Sequence, residues 1–166
     1  MHQTTKPSTI TNGSVGRHLD DVSVVIKTFE RPESLKILLD SLLIYYPDIP
    51  VIIIDDSREP LDDNLFDART RYVHTEHNIG LSEGRNRGVA LSETEFTFIM
   101  DDDFVFTKDS RLDLLRMPLV HGGFSVSGSR MINFGLDEVV PAECAVNGNR
   151  SLLTQDVDLN LEAVCF

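Results

Sequence analysis

Three short runs of β-branched and aromatic residues, each closing on a polar or acidic cluster, constrain this chain more than any other feature. Residues 22–27 (VSVVIK) lead into Thr28, Glu30 and Arg31; 51–54 (VIII) lead into Asp55-Asp56-Ser57; 96–100 (FTFIM) lead into Asp101, Asp102 and Asp103. Runs of this length without alternation mark strands buried on both faces, as in a parallel sheet covered by helices.

The intervening segments supply the helices. Pro32 opens one where its missing N–H costs nothing, and Leu35, Leu38, Leu39, Leu42 and Leu43 recur on one face. Gly80 turns the chain into a second, capped by Ser82, with Val89 and Leu91 inward and an end near Thr94. A third, capped by Asp109 or Ser110, carries Leu112, Leu114 and Leu115. Short strands are expected at 72–74 and 124–129, and a turn at Asn147-Gly148. Strand–helix alternation predicts an α/β fold: an open, mostly parallel sheet with helices on both faces.

At 166 residues the chain has room for one domain with a substantial core. Residues 1–20 are polar and read as a flexible lead-in without the apolar stretch of a signal peptide; 21–166 form the domain. No apolar run approaches the ~20 residues of a membrane span. The net charge of −12 argues against a nucleic-acid partner. It leaves open a phosphorylated ligand, provided a divalent cation offsets the repulsion. Cys144 and Cys165 are too few for a disulfide framework, and their spacing does not choose between two thiols and one bridge. Sequons at Asn12 and Asn149 hint at a secretory history.

In open α/β sheets, ligands sit beyond the carboxyl ends of the strands. Three adjacent carboxylates there repel one another unless a cation intervenes, and oxygen-only ligands suit Mg²⁺ or Mn²⁺. A solvated acidic loop is the plain alternative, and the place of 101–103 after a buried strand favours the metal. Asp55-Asp56 is either a solvated turn or an acceptor for the imide N–H of a uracil ring. Arg85-Asn86 is either a helix-surface pair or a diphosphate clamp. The histidines lack metal-ligand spacing and are expected to be surface or packing residues. A phosphoacceptor receiver domain fits Asp55-Asp56 superficially but not the triple acid after Met100.

The ordered strings "VSVVIKTFER", "VIIIDDS", "GLSEGRNRGVA" and "FIMDDD" resemble inverting glycosyltransferases of the GT-A fold, of the family-2-like kind. Within that group "KTFER", "YPDIPVIIIDDS", "GRN" and "DDDFVFT" followed by "RLDLL" resemble β-1,4-N-acetylgalactosaminyltransferases of the ganglioside-synthesising type, over roughly residues 22–116. The resemblance implies a UDP-sugar donor, with N-acetylgalactosamine as its sugar, a glycan or glycolipid acceptor, Mn²⁺ or Mg²⁺ as cofactor, and the Golgi lumen as location. It places Thr28, Glu30 and Arg31 along the nucleoside pocket, Asp56 at the uracil with Asp55 supporting the turn, and Arg85 and Asn86 near the donor. Asp101 and Asp103 hold the outer positions of a DxD motif: Asp103 ligates the metal, with Asp101 beside it, and Asp101 or Asp102 approaches the ribose. It implies direct displacement at the anomeric carbon, with a carboxylate base facing the sugar's opposite side.

The sequence departs from that family downstream. Base and acceptor elements normally follow the DxD at a distance, and Asp137, Glu138, Glu143, Asp156, Asp158 and Glu162 sit in no matching motif. The expectation is a fragment, its sheet cut short at the C-terminal side, rather than a reduced domain. A catalytically incomplete nucleotide-sugar- or glycan-binding module is the alternative function.

Overall fold

The computed structural model describes residues 19–128, together with the backbone of Met131–Asn133 and Ala163–Cys165. Residues 1–18 of the lead-in, both sequons, the 147–148 turn and the downstream acids lie outside the described residues, while Leu19 is buried in the core.

All three runs are strands, but only the first two are buried on both faces; in the third, at the end of its sheet, Met100 alone is buried and Ile99 is 43 % exposed. β1 (Val22–Thr28), β2 (Val51–Asp55), β3 (Thr70–His74) and β4 (Phe96–Asp101) form one sheet in the order β3-β2-β1-β4, with every pairing parallel. All residues of β1 and β2 are buried, the polar Ser23, Lys27, Thr28 and Asp55 among them. α1 (Pro32–Tyr45) connects β1 to β2, and α2 (Leu81–Ala90) connects β3 to β4. Beyond β4 come β5 (Phe104–Val105), α3 (Leu112–His121), β6 (Met131–Asn133) and β7 (Ala163–Cys165). β7 pairs antiparallel with β5 and parallel with β6 in a second small sheet.

Alternate residues of β1 divide the core between two faces. Val22, Val24 and Ile26 join Val51 and Ile53 of β2 beneath Leu35, Leu38, Leu39 and Leu42 of α1, with Leu112 and Leu115 of α3 in the same cluster. Each fully buried aliphatic side chain here contributes about 1.5–3 kcal/mol relative to exposure. On the other face Val25, Ile52 and Ile54 pack with Val73, Ile79 and Leu91. α2 reaches that face through glycines: a Cβ on Gly88 would lie 2.3 Å from Val25 Cγ1, and one on Gly84 would lie 2.6 Å from Lys27 Cγ. Helices therefore cover both faces, as expected.

Five local expectations give way. Leu43 is 49 % exposed; at 3.6 residues per turn it lies about 80° around α1 from Leu35, at the margin of the buried stripe. Val89 is 41 % exposed, because Gly84 and Gly88, not apolar side chains, form the buried face of α2. α2 begins after Gly80, whose φ of 90° suits glycine, and Ser82 is not its cap. Arg111 precedes α3, while the Ser110 hydroxyl accepts the Thr107 N–H instead of capping. Residues 124–128 form no strand, the chain having turned through Gly123 at φ 66°.

Candidate functional site

Strand register brings the polar clusters together. Thr28 pairs with Asp55 across β1 and β2, and Lys27 with Asp101 across β1 and β4, so three strand ends finish level at the carboxyl edge of the sheet. α2 begins beside them and carries Arg85.

The aspartates differ in surroundings. Asp102 is buried and accepts a 2.7 Å hydrogen bond from the Thr28 hydroxyl. Burial raises its pKa above the ordinary carboxylate value, outweighing that hydrogen bond and the charge of Arg31. Asp101 and Asp103 keep 42 % and 33 % of their side chains exposed. The Arg85 guanidinium reaches Asp101 at 2.5 Å, and Arg31 Nη1 lies 3.2 Å from Asp102 and 3.1 Å from Asp103. Asn86 is exposed one residue beyond Arg85.

Glu30, with φ of 55°, ties two loops together: its N–H donates to Ser57 Oγ, and its carboxylate accepts the Arg58 N–H. Asp55 is fully buried, receiving the Ser57 N–H at 2.9 Å and the Tyr72 hydroxyl at 2.7 Å. Burial is the main force pushing the Tyr72 phenol up to about 12, and the Asp55 charge adds to it. Asp56 is also fully buried; one oxygen is paired with the Lys27 ammonium and the other accepts the Gly80 N–H at 3.1 Å. Asn78, at φ 58°, donates its N–H to the Asp56 carbonyl.

Sequence reasoning overlooked several of these groups. Lys27 announced itself as a lone cation ending a buried run, which requires a carboxylate partner. Tyr72 gave no signal beyond a strand tyrosine. Phe29 and His77 meet with ring centroids 5.5 Å apart, uniting the loops after β1 and β3, and no spacing rule connects them.

Asp101 and Asp103 offer oxygen ligands of the kind a hard divalent cation takes. Among the described residues no group of three or more Asp, Glu, His or Cys forms a ready metal cage. Two partly exposed carboxylates nonetheless match Mg²⁺ or Mn²⁺, whose remaining positions go to waters and phosphate oxygens. Alongside β4 a cavity of about 380 Å³ is lined by Phe98, Met100, Phe104, Phe106 and Leu112, with Asp101 and Arg85 also on its wall.

Parallel strands ending in acids, with a helix-borne arginine against one of them, gather charged groups at the sheet edge where open α/β folds bind their ligands. Residues 23–144 match the glycosyl transferase family 2, and the chain belongs to that family. It is 38 % identical over 115 residues to Beta-1,4 N-acetylgalactosaminyltransferase 2 of Mus musculus, a match covering 69 % of this chain and 22 % of the mouse protein. It is 33 % identical over 109 residues to Beta-1,4 N-acetylgalactosaminyltransferase 1 of Rattus norvegicus, covering 66 % of this chain and 20 % of the rat protein. The matches thus span about a fifth of the length of these curated relatives. Among solved structures, that of S. aureus TarS aligns with a TM-score of 0.49 and 20 % identity, over 68 % of this chain and 21 % of that chain.

Proposed function

We propose that this chain is the donor-binding part of a glycosyltransferase that moves N-acetylgalactosamine from a UDP-sugar to a glycan or glycolipid hydroxyl, with inversion, in the Golgi lumen. The observation that carries the reading is the level ending of β1, β2 and β4, which gathers Thr28, Arg31, Asp56 and residues 101–103 at one edge with Arg85 of α2. Family membership supplies the reaction class, and the relatives' names supply the sugar.

In this reading Asp103 and Asp101 hold Mn²⁺ or Mg²⁺. The ion would supply Lewis acidity, stabilising charge on the departing diphosphate. Arg85 offers its planar guanidinium to the diphosphate oxygens, exchanging Asp101 for a more highly charged partner. Thr28 fixes Asp102 toward the ribose, and Glu30 keeps the two loops beneath the nucleoside in register.

Calorimetry with UDP, with and without Mn²⁺, tests the proposal. Binding should require the metal and be lost in Asp103→Ala; metal-independent binding, or none, would sink it. Release or transfer of N-acetylgalactosamine from its UDP conjugate then separates a transferase from a nucleotide-sugar-binding module.

A further inference from the structure

Lys27 is the one charged side chain within the buried run of β1, and at 8 % exposure it is nearly enclosed. A buried ammonium is costly unless paired and bonded. Its partner, the Asp56 carboxylate, is wholly buried and has one oxygen on Lys27 and the other on the Gly80 N–H. Gly80 is the residue from which α2 starts. A negative group at a helix N-terminus is favoured by the unsatisfied amides and aligned dipoles there, so Asp56 anchors α2 from the loop after β2.

The stem of Lys27 makes a second contact with the same helix turn. Its Cγ occupies the space that a Cβ on Gly84 would need, with only 2.6 Å between them. One side chain therefore seats α2 twice: by packing at Gly84, and by charge through Asp56 at Gly80. Arg85 follows Gly84 directly and meets Asp101 at 2.5 Å. The Lys27 ammonium also lies over the Phe29 ring, 5.0 Å from its centroid.

We propose that Lys27 is a positioning residue that acts on Arg85 through Asp56 and the first turn of α2. Asp56 serves as the strut between them, holding the start of the helix from which Arg85 projects. This inference rests on the donor-site reading above.

The test compares Mn²⁺–UDP with Mn²⁺–pyrophosphate, which lacks the base, by calorimetry on the whole chain. Lys27→Met alone leaves a buried carboxylate unpaired and is expected to lower the melting temperature sharply. The double variant Lys27→Met/Asp56→Asn replaces the ion pair with neutral groups of similar size and should remain folded by circular dichroism. It should weaken both ligands by about tenfold, the order of loss expected when a binding group is displaced by a fraction of an ångström. In an Arg85→Ala background the same two substitutions should change affinity by less than about twofold, because groups acting through one another are not additive. Weakening confined to UDP would show that Asp56 meets the base and would overturn the inference. Unchanged binding, or full additivity with Arg85→Ala, would overturn it equally. A wild-type chain that binds neither ligand would instead remove the donor-site reading, and this inference with it.

Discussion

A single nitrogen of Arg31 contacts two consecutive carboxylates, Asp102 at 3.2 Å and Asp103 at 3.1 Å. The arginine side chain is 55 % exposed, so its hold on Asp103 is that of a partly solvated ion pair. On the proposed reading, a metal ion at Asp103 would compete with it. Arg31→Ala should therefore tighten binding of Mn²⁺ alone by about two- to fivefold, the equivalent of the ~0.5–1 kcal/mol typical of such pairs. Manganese titration in the absence of nucleotide measures this, and weaker binding in the variant would show that Arg31 does not compete.

Tyr72 gives the fold an alkaline limit. Its phenol is pushed up to about 12 in the folded chain, mainly by burial, against an ordinary value of 10.0. Between those values the unfolded phenol has lost its proton while the folded one retains it. The unfolded state then binds fewer protons, so stability falls as pH rises through this window. Subtracting the tyrosinate titration of Tyr72→Phe from that of the wild type should reveal a phenol titrating near 12. A difference curve centred on 10 would show that the hydroxyl is not held against Asp55.

Leu38 and Leu43 lie on the same helix and are chemically identical, yet one is fully buried and the other 49 % exposed. Leu38→Ala should destabilise the chain by about 2–5 kcal/mol through lost transfer energy and a residual cavity. Leu43→Ala should stay within about 0.5 kcal/mol of wild type. Urea denaturation of the two variants compares them directly, and equal costs would contradict the orientation of α1.

Gly88 is where α2 comes closest to the sheet. Adding a methyl places carbon 2.3 Å from Val25 Cγ1, so Gly88→Ala should cost about 1–3 kcal/mol as overpacking. Val25→Ala in the same chain makes room and should recover part of that loss in thermal melts. Simple addition of the two penalties would mean that they do not share this contact.

The frame of the fold was legible because buried parallel strands have so plain a pattern. Runs such as VSVVIK and VIII can be satisfied only by burial on both sides, and the strand ends then locate the site. Helix faces were read less well where glycine replaced apolar side chains. Gly84 and Gly88 carry no hydropathy signal, and the reading turned to Val89 instead. Within the candidate site, residue types pointed to one edge of the sheet, where the register gathers them, but not to their partners. Thr28 and Asp102 are separated by most of the domain, and only the β1–β4 pairing makes them neighbours. Lys27 was overlooked, and a lone cation in a buried run signals only that a counter-charge is needed, since which carboxylate supplies it depends on how the loop after β2 folds.

Glu30 and Asn78 share an unusual backbone, φ 55° and 58°, on loops that flank β2. A side chain in this left-handed region costs roughly 1–2 kcal/mol relative to the usual region, and asparagine tolerates it better than glutamate does. Selection for thermal tolerance alone should admit glycine at Asn78 readily, because the loop's bond to the Asp56 carbonyl comes from the main chain. At Glu30 the same exchange relieves backbone strain but severs the carboxylate's tie to Arg58. Two positions of nearly equal backbone conformation should therefore diverge in a mutational library, one drifting freely and the other held by what its side chain grips.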